Sequence, residues 1–444
     1  MGIVTKGSSR PVASASTSRS RPRWARSRVF VGITDDRATQ AQRDVPPCRR
    51  ARFTRNAAAV AVLVLPLMAP LSVEASSRSQ ELTREGFNRT YALDFAESMA
   101  LFERARKADP SDPAPTRAAA AVIWMQILFA QGVATFEAFV GEASEDSVRR
   151  PPVDQMLAGR FLTYVNEAIV LSERQVTADP THIGAQYQLG ASTALLALYR
   201  ATVEGRTWAA FVEGRRAVRT MERVRERQRD HREAALILGM YRYAVSTLSW
   251  PKRMLANAAG MPGDREAGIK LLEFAASPPA ETATDASLVL TVVYNRERRH
   301  AEAMRHLTQL RERHPQNRLV VLNAAATALA ASEPQRAADA VTAVLTLGPR
   351  FDQPAVLGER AMWFYVRGAA RAALHAPGAT QDLQRALTSE PRDWIRARTH
   401  MELAKLALQA GDEAQALAHL DAAEQYGRWA GDRILVEGAR RLRH

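Results

Sequence analysis

The stretch from Gly260 to Arg265, GMPGDR, combines residue types that could do chemistry. Asp264 could serve as a general acid, and Arg265 could hold an anion. The spacing is neither GxxxxGK[ST] nor GxGxxG, and the sequence predicts no parallel sheet to support the turn, so a phosphate cradle is not expected. The simpler interpretation is a tight turn in which Asp264 caps the next helix and Gly268 allows close helix packing.

Other groups that could act in catalysis are scattered. The pair Glu142 and Glu145 lies in a polar linker, and the pair Glu222 and Glu226 lies on a charge-rich predicted helix, which is typical of a solvated face. Ser246 has no recognisable His–Asp arrangement near it, and no GxSxG, HExxH or paired-His spacing occurs. The sequence therefore predicts no enzyme, no metal site and no cofactor.

Charge and cysteine content restrict the remaining classes of protein. The net charge is +14, but residues 1–56 hold 13 Lys/Arg against three Asp, a net of +10, so the other residues carry only +4. A charge of that size over a large domain does not predict nucleic-acid binding. The only cysteine, Cys48, excludes a disulfide within the chain. Abundant Ala, together with Arg in place of Lys, suggests a GC-rich bacterial genome.

A targeting segment is predicted at residues 46–75. A cluster of arginines precedes the apolar run Ala57–Leu71, and small residues then end at Ala75, the predicted cleavage site. This order indicates a secretory signal peptide, hence export to the periplasm or cell envelope; the alternative is a membrane anchor formed by 57–71. Residues 1–45 are basic and lack a hydrophobic period, so they are predicted to be disordered or to precede the true start codon.

The remainder of the chain repeats at a spacing near 34 residues. Pro315 and Pro349 are 34 residues apart, and small or apolar residues precede both at the same three offsets. A small residue lets paired helices approach, and the proline ends the pair because it lacks a hydrogen-bond donor. This pattern resembles the tetratricopeptide repeat (TPR) family. It predicts an all-α, TPR-like helical-repeat solenoid of antiparallel helix pairs over 79–444.

The predicted repeat units differ in length. They are placed at about 79–112, 158–180 (the second helix of a degenerate unit), 183–230, 233–277, 284–317, 318–351, 361–392 and 397–430, with a capping helix near 431–443.

One unit carries a more specific pattern. After Leu238-Gly239 come two tyrosines, a Trp-Pro, a short helix and the GMPGDR turn. Over Glu233–Pro315 this resembles the inclusion-body clearance family, whose animal members are the tetratricopeptide repeat protein 39 group. The resemblance implies a helical-repeat protein without a known catalytic site. The residues predicted to shape this turn are Pro251, Gly260, Gly263, Asp264, Arg265 and Gly268, with Pro251 distorting or ending the first helix.

Aromatic residues on predicted first helices are the candidates for partner binding, because first helices line the concave face of such stacks. The candidate binding residues are Tyr187, Tyr241, Tyr243, Trp250, Tyr365 and the cationic Arg398. Trp363 and Lys405 fall on the same kind of helix. The alternative interpretation is that the aromatics pack between repeats as core.

Three functions follow in order of preference. The first is an exported scaffold that binds a protein or peptide partner in the groove of the stack. The second is an accessory ligand-binding subunit of a periplasmic solute transporter. The chain resembles that class at Pro251 and at the Gly263-Asp264 turn. The third is a hydrolase, whose catalytic residues the sequence does not show.

Overall fold

A computed structural model describes residues 76–133, 151–258, 260–277, 282–346 and 355–443. The chain divides into two units, Met1–Arg52 and Phe53–His444, and all described residues belong to the second. Those residues form 18 α-helices and no strand. The predicted fold class is confirmed: this part of the chain is an all-α helical-repeat solenoid. The signal segment, Ala75, Cys48 and the linker 134–150 lie outside the described residues.

The helices of the first half are α1 (Ser77–Tyr91), α2 (Phe95–Ala108), α3 (Pro113–Ala130), α4 (Gln155–Ala178), α5 (Ile183–Thr202), α6 (Thr207–Arg227), α7 (Arg232–Ser246), α8 (Trp250–Ala258) and α9 (Arg265–Ala276). Those of the second half are α10 (Ala283–Arg296), α11 (His300–Arg313), α12 (Arg318–Ala330), α13 (Pro334–Leu345), α14 (Glu359–Ala373), α15 (Ala379–Thr388), α16 (Asp393–Gln409), α17 (Glu413–Ala430) and α18 (Arg433–Leu442).

Local sequence signals set many of the helix ends. Short polar residues stand just before the first turns, and their side chains accept hydrogen bonds from backbone amides that have no partner within the helix. Residues that cap in this way are Asp94, Asp112, Asp154, Asp264, Asn317, Asp412 and Asp432. Between these starts, runs of Ala and Leu favour the helical state.

Consecutive helices pack as pairs, which stack in chain order. The pairs are α1–α2, α3–α4, α5–α6, α7–α9, α10–α11, α12–α13, α14–α15 and α16–α17, with α18 packed on α17. In each pair the first helix is the more buried: most residues of α3, α5 and α10 are buried. The second helices bury only one stripe, such as Ala303, Leu307 and Leu310 of α11.

The stack closes on itself. Tyr91, the last residue of α1, donates from its hydroxyl to Asp285 of α10, 194 residues later, at 2.9 Å. The backbone amide of Leu357 likewise donates to the carbonyl of Phe129 at the end of α3, at 2.9 Å. Helices from the first pairs therefore contact helices from the second half of the chain.

This closure changes the expectation of an open concave groove. The faces of first helices that would line it hold buried polar contacts instead. Nε of Arg117 donates to Gln188 at 3.0 Å, joining α3 to α5, and Nε1 of Trp124 donates to Thr202 at 3.1 Å. Inward faces of α3, α5 and α10 are therefore part of the protein interior.

Helix α8 departs from the prediction made for Pro251. Helix α7 ends at Ser246, and Pro251 is the second residue of the separate helix α8. Proline suits this position because the first amides of a helix have no acceptor within it. Pro251 therefore begins a helix rather than breaking one. None of the described helices is long and apolar enough to span a bilayer.

Candidate functional site

The GMPGDR turn is built as a structural joint. Asp264 is the N-cap of α9, accepting from the amide of Ala267 at 3.0 Å, and its own amide donates to the carbonyl of Arg242 at 3.1 Å. Arg265 pairs with Glu297, the residue that follows α10, at 3.0 Å. Both charged residues therefore have structural partners, which favours the interpretation of the turn as a structural joint.

The glycines of this unit allow the chain segments to touch. A Cβ added at Gly268 would lie 2.8 Å from the amide nitrogen of Tyr243 and 2.9 Å from the carbonyl oxygen of Gly239. A Cβ at Gly263 would lie 2.4 Å from the amide nitrogen of Ser246. Gly260 has a φ of +73°, which favours glycine. Helices α7 and α9 therefore cross at backbone contact.

Four predicted binding aromatics have very different surroundings. Tyr187 and Tyr243 are 2% and 1% exposed, so they are core residues and offer no surface to a partner. Burial, and a hydrogen bond to Glu297 in the case of Tyr243, raises the pKa of both hydroxyls. Tyr241 is half-buried on α7, whereas Trp250 is 67% exposed on α8.

The remaining two predicted residues, Tyr365 of α14 and Arg398 of α16, line one open cavity of about 530 Å³ near the end of the stack. Its other lining residues come from α16, α18 and the turn before α18: Met401, Glu402, Lys405, Asp432, Ile434, Leu435, Gly438, Arg441 and Leu442. We call this cavity the C-terminal groove. That these residues lie together is not visible from the sequence, because α14 and α18 are separated by three other helices.

A short turn positions α18 along the groove. Helix α17 ends at Ala430 and is followed by Gly431, whose φ is +71°. Asp432 then caps α18 by accepting from the amide of Leu435 at 3.0 Å. A Cβ at Gly427 would lie 2.9 Å from Val436, so this glycine lets α17 and α18 approach closely. The turn thus holds α18 on α17 while one edge of α18 faces α16.

The groove combines an apolar floor with paired charges. Ile434 and Leu442 are 57% and 41% exposed. Arg398 donates to Asp432 at 3.3 Å. Lys405 also pairs with Glu402, at 2.7 Å. At the rim, the guanidinium of Arg441 lies 3.9 Å from Glu437 and its side chain is 76% exposed. An extended apolar segment flanked by polar groups matches this arrangement.

Helix α16 also carries a histidine pair at its contact with α17. Nδ1 of His400 and Nδ1 of His419 are 3.0 Å apart. The ring of Tyr426 stacks on the ring of His400, and the guanidinium of Arg396 lies over the ring of Tyr426. Burial, then His419 and Arg396, lowers the pKa of His400 to about 4, and burial lowers that of His419. The neutral pair is thus the form that the fold favours.

We expect this pair to make the fold less stable in mild acid. An unfolded histidine titrates near pH 6.5, so as the pH falls from about 6.5 to about 4 the unfolded chain takes up protons before the folded chain does. The stability that the neutral histidine pair gives the fold is complete above pH 6.5 and is lost as the pH falls from about 6.5 to about 4. A His400→Gln/His419→Gln variant should show a smaller fall in melting temperature between neutral and mildly acidic buffer. Equal falls in both proteins would contradict this assignment.

Comparisons with known proteins identify no family for the chain. No family model and no curated protein matches it. Solved structures that resemble it include a tetratricopeptide repeat protein from Parabacteroides merdae (13% identity, 74% of this chain and 99% of that one, TM-score 0.30). Others are yeast Tom70 (11% identity, 81% and 88%, TM-score 0.34) and human IFIT1, solved as a dimer with PPP-AAAA (12% identity, 87% and 94%, TM-score 0.35). Scores and identities this low carry no argument about function.

Proposed function

We propose that this chain is an exported, non-enzymatic scaffold that binds a segment of a partner protein in the C-terminal groove. The observation that carries the proposal is the groove itself, where exposed Ile434 and Leu442 lie beside paired charges. Covering these exposed apolar side chains with an apolar partner removes them from water, which stabilises the complex. The proposal keeps the protein-binding role predicted from the repeats and moves it from the buried inner face to this open site.

Crosslinking from inside the groove tests this function. Ile434 replaced by the photoreactive residue benzoylphenylalanine should yield a discrete protein adduct when the full chain is irradiated in cells. The matched control is the same replacement at Leu417 of α17, which is 46% exposed and does not line the groove. The same adducts from both positions, or none from Ile434, would contradict the proposal.

The transporter-subunit alternative uses the same cavity. A volume of about 530 Å³ lies in the range of small-molecule sites, which favours keeping this alternative. The turn of Gly263 and Asp264 that suggested it does not line the groove. Native mass spectrometry separates the two: a retained small solute, lost in an Ile434→Asp variant, would favour the transporter role over protein binding.

Export is the second part of the proposal and rests on residues 46–75 alone. Fractionated cells should contain, in the periplasm or envelope, a chain whose first residue is Ser76. Full-length chain confined to the cytosol would refute export without affecting the groove. The resemblance of Glu233–Pro315 to the inclusion-body clearance family stays a prediction.

A further inference from the structure

Helix α8 exposes its large apolar side chains to solvent and buries a small one. Its large apolar residues Trp250, Met254 and Leu255 are 67%, 48% and 45% exposed, while the small Ala256 is only 4% exposed. Trp250 and Met254 are four positions apart and therefore share one face of the helix. A surface helix ordinarily buries its large apolar side chains. The exposed face of α8 is thus unpartnered apolar surface held on the outside of the fold.

A second exposed apolar stripe begins α6. Trp208 and Val212, again four positions apart, are 67% and 49% exposed, and the ring of Trp208 stacks on Phe211 with centroids 5.6 Å apart. Farther along the same helix, Met221 and Val224 are fully buried. The exposure of apolar side chains is therefore confined to the first turns of α6.

The two stripes lie at the same edge of the stack. Helices α6 and α7 pack against each other and are joined by four residues, so they run antiparallel, and the start of α6 lies at the same end of the pair as the end of α7. Helix α8 follows directly after that end. We call Trp208, Val212, Trp250, Met254 and Leu255 the edge patch.

Charge distinguishes the surroundings of α8, which carries three residues of the edge patch. Between Glu233 and Asp264 the chain has no acidic residue, and it carries Arg242, Lys252 and Arg253, a net of +3. Lys252 and Arg253 belong to α8 itself. A short helix with tryptophan and aliphatic residues on one face and cations around them has the composition of a helix that lies in a membrane interface.

We propose that the edge patch docks on the surface of an anionic lipid bilayer, with the tryptophans at headgroup level and Lys252 and Arg253 facing lipid phosphates. The exposed apolar side chains are spread over two helices, α6 and α8, which suits a flat surface better than it suits a small ligand. Tryptophan is favoured at such an interface because its ring is apolar and its N–H is polar. Docking at this edge leaves the C-terminal groove, on other helices, for the protein partner.

A fluorescent reporter placed in the patch tests this directly. Met254→Cys in a Cys48→Ser full chain, labelled with an environment-sensitive dye, should shift to shorter wavelength on adding vesicles of phosphatidylcholine and phosphatidylglycerol. Pure phosphatidylcholine vesicles should give a smaller shift. The control label, at Leu417→Cys in the same background, is on an exposed leucine outside the patch and should not respond. The local readout separates the patch from any membrane contact made by 57–71.

Substitutions then separate the apolar and electrostatic contributions. Trp208→Ser/Trp250→Ser should weaken vesicle binding on the order of tenfold for each tryptophan. Lys252→Gln/Arg253→Gln should weaken binding to anionic vesicles about fivefold for each lost cation and leave the weaker neutral-vesicle signal unchanged. Arg336→Gln, on the exposed face of α13, is the charge control and should bind normally.

Two results would overturn the proposal. One is a label at residue 254 that does not respond to anionic vesicles, or responds no more than the control label. The other is a shift that appears without vesicles as protein concentration rises, which would make a second copy of the chain the occupant. Neither result bears on crosslinking from Ile434, so the two proposals fail independently.

Discussion

Replacing Gly268 with leucine is expected to destabilise the fold by about 3 kcal/mol, a large share of the stability of an ordinary domain. Even the first carbon of the new side chain would lie within 2.9 Å of backbone atoms of Tyr243 and Gly239. Backbone atoms in a helix cannot turn aside as a flexible side chain does, so α7 and α9 must separate. Urea unfolding followed by circular dichroism measures the loss.

The control for this substitution is Gly159→Ala on α4. No atom lies within 4 Å of the position that the added Cβ would take there. Alanine in a helix interior is favoured over glycine by about 0.5–1 kcal/mol, so this variant should gain stability. If Gly268→Leu unfolded at the same urea concentration as the wild type, the close crossing of α7 and α9 would be wrong.

Removing the carboxylate of Asp382 should be strongly destabilising. Asp382, 1% exposed on α15, accepts two hydrogen bonds from Arg367 and one from Arg371, all at 2.7 Å. Asp382→Ala leaves both guanidinium groups beside the core without a counter-charge, and breaking such a buried pair costs about 3–5 kcal/mol. The midpoint of urea unfolding should fall accordingly.

Two further variants isolate the cause of that loss. Asp382→Asn keeps the volume and removes the charge, so it should also be strongly destabilised if the ion pairs matter. Glu333→Ala breaks an exposed pair with Arg336, whose partners are 49% and 53% exposed, and should change stability by no more than about 1 kcal/mol. Similar losses for Asp382→Asn and Glu333→Ala would show that the buried position has no special weight.

Features encoded by neighbouring residues could be predicted from the sequence. Helix pairs follow from the repeat of small residues and prolines, and α12–α13, at Arg318–Leu345, lies within the predicted unit 318–351. The cap at Asp264 follows from its place between a glycine turn and an apolar helix. Gly239 and Gly268 stand at positions where helices must approach, which the repeat pattern alone indicates.

Features that depend on distant residues could not be predicted in this way. Nothing near Tyr91 in the sequence indicates that its hydroxyl meets Asp285. Without that closure, the repeat pattern assigns Tyr187 to an open groove, and its burial is missed. The groove at Tyr365 and Arg398 also depends on α18 folding back along α16, which no local signal encodes. The prediction that Pro251 distorts or ends the first helix is wrong, because a proline has that effect only inside a helix and can equally stand in the first turn of a new one.

The contact between Tyr91 and Asp285 has a consequence for how the chain reaches its native state. In an ordinary repeat array each unit needs only its neighbours, so folding can spread from any point. Here α1 and α3 complete their contacts only after residues near 285 and 357 have been made and have folded. The amino-terminal end must wait for the middle, which slows formation of the last contacts and joins both ends of the closed segment into one cooperative unit. Fraying should therefore start at α18, and α1 should exchange its amide protons as slowly as α10.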